Sequence, residues 1–271
     1  MKPLQYWKPE TFDISSFKFR LDERKGKTYR TSGSDETGKC LYTYNELGFR
    51  GDSIKKEGFK VMSLGCSITE GVGVNDNETW PAQFCNHIEN GVNFNFGTGG
   101  RSNDFISRCL ISYFDLIQPD LVLINYTFPT RREYYTKDNF IEPFHPAAKW
   151  GYMLEKDGEL IHKNLFELQN DNEDFVNWYK NHLLIKNFLE NKKCNWVWEG
   201  NNLNTEYTEF NRFETGFEKH NGYFKYIDKG ADNMHPGKIH HYTYSKKLLN
   251  YIYTNFKEYL PKDFIFKQNL L

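Results

Sequence analysis

From Phe59 onward, short apolar runs alternate with longer stretches whose apolar residues recur at helical spacing. The runs FKVMSL, VNFNF, DLVLINY and CNWVWEG each end at Gly or a polar turn, which predicts strands near 59–64, 92–96, 120–126 and 194–200. DLVLINY is the most apolar of them and reads as a central strand buried on both faces. FKYID, at 224–228, is a fifth candidate. Helices are predicted between these runs. Thr79 to Glu89 carries Trp80, Phe84 and Ile88, with Pro81 acceptable in a first turn. Asn103 to Ile117 carries Phe105, Ile106, Cys109, Leu110 and Tyr113. Glu173 to Leu189 and Ile239 to Phe256 show the same periodicity. Strands alternating with helices predict an α/β fold, a three-layer α/β/α sandwich around a mostly parallel sheet. Residues 131–170, rich in rings, Pro and charge, interrupt the alternation and read as an insertion near the strand ends. Residues 1–57 are polar and turn-rich and read as an N-terminal extension, with FKFRL and CLYTY suggesting a hairpin or lid. The remaining residues, 58–271, then form the main domain.

Composition narrows the functional classes. Lys plus Arg is 35 and Asp plus Glu is 36, a near balance that argues against a dedicated nucleic-acid binder. With 23 Phe and 18 Tyr, rings are expected to build much of the core and to line any groove. No run approaches the ~18 apolar residues of a membrane span, and the first residues show no apolar leader, so a cytoplasmic location is expected. The five cysteines form no CxxC pair, which fits neither a disulfide framework nor a zinc ribbon.

Three segments at expected strand ends carry candidate chemistry. Gly65-Cys66-Ser67-Ile68-Thr69-Glu70-Gly71 places a serine directly after a strand, where it is either a helix N-cap or a presented nucleophile. Asn95-Phe96-Gly97-Thr98-Gly99-Gly100-Arg101-Ser102 brings glycines whose amides can approach a ligand, without the spacing of a nucleotide fingerprint. Asp232-Asn233-Met234-His235-Pro236-Gly237 puts an Asp three residues before a His, so the carboxylate can orient the ring while its other nitrogen faces a hydroxyl. His240 and His241 raise the option of a metal cluster, but carboxylate ligands at usable spacing are missing.

Together these blocks resemble the SGNH, or GDSL-type, hydrolase family. The first block of that family matches Gly65-Cys66-Ser67 and Gly71, the second matches Asn95, Gly97, Gly100 and Ser102, and the last matches Asp232, His235 and Pro236. Tyr44-Asn45-Glu46-Leu47-Gly48-Phe49-Arg50-Gly51 is similar to a segment that often precedes the first block. The resemblance implies a flavodoxin-like sheet order and a catalytic triad of Ser67, His235 and Asp232. It also implies an oxyanion hole using the N–H groups of Ser67 and Gly100, and no metal or organic cofactor.

Two positions depart from the family. Its first-block Asp is Cys66 here, whose side chain is expected to point away from Ser67 into the sheet. Its third-block Asn, an oxyanion donor, aligns with Pro129, which offers neither a side-chain donor nor an N–H. Thr127, Asn125 and Arg131 are available as substitutes, and Thr127 is the one expected. The activity implied is serine esterase chemistry on a small-molecule or glycan ester, an O-acyl carbohydrate being favoured by the rings of 131–170. The alternatives are an O-acyltransferase on the same triad and a non-catalytic binding or structural protein.

Overall fold

The structure, a computed structural model, describes residues 26, 28–31, 40–135, 141–144, 170–200, 212–213, 219–220 and 223–264. Its strands are β1 (Thr28–Thr31), β2 (Cys40–Thr43), β3 (Arg50–Gly51), β4 (Phe59–Leu64), β5 (Gly91–Asn95) and β6 (Leu121–Tyr126). They continue with β7 (Arg132–Tyr135), β8 (Ile141–Phe144), β9 (Asn195–Gly200), β10 (Lys219–His220) and β11 (Tyr223–Phe224). The α-helices are α1 (Ser67–Glu70), α2 (Trp80–Asn86), α3 (Asn103–Ile117), α4 (Asp171–Lys192) and α5 (Lys238–Asn255).

The central sheet runs β3-β5-β4-β6-β9, with β5, β4, β6 and β9 parallel and β3 antiparallel to β5. Side-chain alternation along the strands divides the core in two. Met62, Leu64, Val122 and Ile124 pack with Phe105, Leu110, Trp178 and Ile185 of α3 and α4. Val61, Leu121, Leu123 and Val197 pack with Trp80, Phe84, Leu248 and Ile252 of α2 and α5. All six residues of β6 are buried, as a strand covered on both faces requires. Burying a side chain of this size contributes roughly 1.5–3 kcal/mol, so the two faces supply most of the driving force. The parallel strands stand in the order second, first, third, fourth, so the chain reverses its direction of winding between β4 and β6. α/β sheets of this order bind ligands in the crevice at the carboxyl ends of those two strands.

Helix starts follow local chemistry. Thr79, Ser102 and Asn170 each accept a backbone N–H through their side chains at the N-termini of α2, α3 and α4. α5 starts at Gly237 with no capping side chain there. Asp228 takes over the task, accepting from the N–H groups of Ile239 at 3.1 Å and His240 at 2.8 Å.

One expectation needs correction, and the N-terminal segment gains detail. FKYID is not a strand of the sheet: the chain forms the short β10–β11 hairpin, and β11 ends at Phe224. Ile227 is exposed there, so the alternation has no sheet face to bury. CLYTY supplies β2, but its partner is β1, while FKFRL lies outside the described residues. The segment before residue 58 also enters the core, because β3 is an outer strand of the central sheet and Arg50 is buried beside it. Of the 131–170 segment, the β7–β8 hairpin is described, and Phe140, Trp150 and Tyr152 lie outside the described residues. Among the described residues no helix is long and apolar enough to cross a membrane.

Candidate active site

β4 delivers the chain through Gly65 and Cys66 to Ser67, the first residue of α1. The N–H of a first helical residue has no intrahelical acceptor, so that of Ser67 faces outward as a donor. Ser67 itself is half-buried. The loop that follows is held by Arg50, only 1% exposed. Its guanidinium donates to the carbonyls of Glu70, Gly71 and Val74 at 3.0, 2.7 and 3.1 Å and pairs with Asp76 at 2.7 Å. Tyr42 lies beneath the guanidinium, 4.0 Å from its ring centroid, and the Tyr42 hydroxyl accepts from the Gly73 N–H at 2.7 Å. Burial pushes the Tyr42 phenol up to about 12.

The second loop is fastened to the first. Asn95 donates through Nδ2 to the Thr69 carbonyl at 2.8 Å and accepts the Gly97 N–H at 2.9 Å. Gly97 sits so close to the backbone of Thr69 and Glu70 that a Cβ would overlap the Glu70 nitrogen, which is why the position takes glycine. The buried Glu70 carboxylate accepts the Gly99 N–H at 2.6 Å and the Tyr44 hydroxyl at 3.1 Å. The next N–H, that of Gly100, has no acceptor among the described residues. A Cβ built on Gly99 would lie 3.7 Å from the Ser67 Cβ, so this loop borders the serine. Asn103, in the first turn of α3, clamps the backbone of Thr127, accepting its N–H at 2.9 Å and donating to its carbonyl at 3.2 Å.

Asp232 and His235 occupy a turn closed by a bridge between Lys229 and Pro236 and by the Gly230 N–H on the His235 carbonyl. Asn233 takes the left-handed conformation at φ 59°, which Asn tolerates. Asp232 Oδ1 accepts the N–H groups of Met234 and His235, both at 3.1 Å, and Oδ2 accepts from His235 Nδ1 at 2.5 Å. The carboxylate is fully buried while the ring is 23% exposed, so the pair presents the imidazole and hides its anion. The turn docks on the loop after α1, where the Ala231 N–H donates to the Gly73 carbonyl at 2.8 Å. Gly73, at φ 90°, admits that approach, since a Cβ there would stand 2.9 Å from Asp232 Oδ1.

The structure thus gathers Ser67, the Gly99-Gly100 loop and the Asp232–His235 turn around the segment 65–73. Among the described residues no hydrogen bond joins Ser67 Oγ to His235. Cys66 is buried as expected, but its sulfur is not turned away: Sγ lies 3.9 Å from Ser67 Oγ. Burial opposes ionisation of this thiol, yet Arg131, the Thr127 hydroxyl, the Ile68 N–H and Ser67 together hold it below the ordinary thiol value. Thr127 accepts from Arg131 Nη1 at 2.8 Å and interacts with Cys66.

His240 and His241 face inward and accept the N–H groups of Ile227 and Trp80. Burial lowers them to about 4 and about 3. Among the described residues no group of three or more His, Cys, Asp or Glu gathers as a metal site would require. Sequence reasoning missed Arg50 and Glu70 as parts of the site, although both lie in the blocks it singled out. A polar cavity of about 240 Å3 lies beside β3, lined in part by Arg50, Asp52, Lys56, Asp76 and Asn93. None of Ser67, Gly100, Asp232 and His235 lines it, and its charged groups already pair, Arg50 with Asp76 and Lys56 with Asp52.

No protein-family model and no curated protein matches the chain. Among solved structures it is similar to a protein assigned to the lipolytic G-D-S-L family from Desulfitobacterium hafniense. That match has 13% identity and a TM-score of 0.34, covering 71% of this chain and 99% of the other. It is also similar to a protein assigned as an acylhydrolase from Bacteroides fragilis, at 13% identity and TM-score 0.33, covering 74% and 91%. A GDSL-like lipase from Bacteroides thetaiotaomicron matches at 15% identity and TM-score 0.30, covering 74% and 89%. At that distance the chemistry of this chain is carried by its own residues.

Proposed function

We propose that this chain is a serine ester hydrolase of the GDSL type. Ser67 Oγ attacks the ester carbonyl while His235 Nε2 takes its proton, and Asp232 holds the opposite ring nitrogen and stabilises the imidazolium. The N–H groups of Ser67 and Gly100 hold the developing oxyanion. The intermediate collapses with release of the alcohol, which receives the proton from His235, and the acyl group remains on Ser67. Water then attacks the acyl-enzyme with His235 as base, restoring the serine and freeing the acid.

The observation that carries this reading is the Asp232–His235 pair. A buried carboxylate, fixed by two backbone N–H groups and 2.5 Å from Nδ1, faces a partly exposed ring. A merely structural His-Asp contact has no need to bury the carboxylate fully while leaving the ring partly exposed. O-acyl groups on a carbohydrate are the proposed substrate class, supported by the ring-rich sequence of 131–170. The test is hydrolysis of p-nitrophenyl acetate and of acetylated glycans by the wild type and Ser67→Ala. Turnover that disappears with the hydroxyl supports the reading, and equal inertness of both proteins overturns it.

A further inference from the structure

The cavity of about 240 Å3 beside β3 lies between β3, β5 and α2. Strand alternation explains its polarity. Val92 and Phe94 pack on the α3 side of the sheet, so Asn93 between them turns to the opposite face, where α2 contributes Ala82 to the cavity wall. At the same level of β4 stands Val61, packed into the core of that side, so an Asn at 93 breaks the apolar pattern. Asn93 is only 8% exposed. Asp52 satisfies its backbone, donating an N–H to the Asn93 carbonyl at 2.8 Å and accepting the Asn93 N–H on Oδ2 at 2.9 Å. The Asn93 side-chain amide makes no hydrogen bond among the described residues, and its Oδ1 is buried. A buried amide without a partner is costly, and native folds give such groups a use. The acids of the wall are half engaged. Asp52 Oδ2 also accepts from Lys56 Nζ at 2.8 Å, and Asp76 Oδ1 accepts from Arg50 Nε at 2.8 Å. Asp52 Oδ1 and Asp76 Oδ2 accept no hydrogen bond among the described residues.

We propose that this cavity binds a neutral polyhydroxyl molecule the size of one sugar ring. A hydroxyl both donates and accepts, so neighbouring hydroxyls can meet a carboxylate oxygen, an ammonium and an amide together. The charged groups of the wall are Arg50 and Lys56 against Asp52 and Asp76, which cancel. A charged ligand would bring an uncompensated charge among them, at a desolvation cost. Pockets for drug-sized molecules run to roughly 300–1,000 Å3, and this one is smaller. The proposal does not rest on the esterase reading, because neither Ser67 nor His235 lines the cavity.

The experiment is titration calorimetry of the full chain with D-glucose, D-galactose, D-mannose and myo-inositol, set against the charged probes D-glucosamine and D-glucuronate. At least one neutral probe is expected to bind, and to bind more tightly than either charged one. Asn93→Leu keeps the shape of the side chain without its amide and is expected to weaken that binding about 10-fold, as lost polar contacts do. Ala82→Phe projects a ring from α2 into the same space and is expected to abolish binding. Circular dichroism and melting confirm that both variants fold, and Ala82→Phe carries the test by itself if Asn93→Leu does not. Silence from all four neutral probes at concentrations up to a tenth molar overturns the proposal. Tighter binding of a charged probe overturns it as well. Binding that neither variant moves puts the ligand elsewhere on the molecule and overturns it too.

Discussion

At the scale of single residues, the candidate side chains stand out in the sequence and their supports do not. Ser67 follows β4 beside Gly65, and Asp232 and His235 stand in a turn between Gly230 and Pro236, settings that Gly and Pro mark in one dimension. Arg50 sits in a polar segment and reads as a surface charge, because the carbonyls it serves lie 20 to 24 residues away and carry no sequence signature. Arg50→Met is therefore expected to leave Asp76 and those carbonyls without their partner, and to destabilise the fold by about 3–5 kcal/mol in urea titration. Cys66 presents the opposite case. Its sulfur lies close to Ser67 Oγ yet is buried, so it is poorly placed to meet a substrate. Cys66→Ala is expected to keep most ester turnover in a rate assay where Ser67→Ala keeps none. Loss in the Cys66 variant would make the thiol a candidate nucleophile.

At the scale of elements, length decided what the sequence could show. β4, β6 and α3 are long enough for apolar spacing to declare them, and α3 begins and ends where its periodicity does. α1, with four residues, and β3, with two, are shorter than any periodicity can reveal, and both are made by tertiary contacts. FKYID misled for a related reason, since alternation alone does not say whether a sheet waits on the other side. The start of α5 shows how an element fixes a side chain. Asp228 accepts two of its first N–H groups and the Gly237 N–H closes on the Asp228 carbonyl, so the His235 turn is pinned at both ends. Asp228→Ala is expected to cost about 1–2 kcal/mol in denaturant midpoint analysis, as lost caps do. It should also lower kcat by loosening the base, an effect a simple cap would lack.

At the scale of the whole molecule, the α/β order was readable from the alternation of runs, and the loops at 65–73 and 97–103 from the glycines that follow β4 and β5. The fastening between those loops was not, because the Glu70, Asn95 and Asn103 bonds join positions 24 to 29 residues apart. Global stability should carry the mark of the inward-facing histidines. Unfolded histidine takes a proton near 6.5, whereas His240 and His241 in the fold hold out to about 4 and about 3. Between those values the unfolded chain binds more protons, so stability is complete above the unfolded value and declines as the pH falls through the window. His241→Asn, which leaves an acceptor near the Trp80 N–H, is expected to flatten that decline in urea titrations from neutral to acid pH. The outer side of β5 carries a different consequence. Arg50 and Gly51 pair with it, and Asp52 finishes the cover by donating to the Asn93 carbonyl and accepting the Asn93 N–H on its carboxylate. Two residues and one acid thus deny a foreign chain the row of open amides it would need as a template. Stripping away that cover would be felt first as clumping of molecules, ahead of any loss of chemistry.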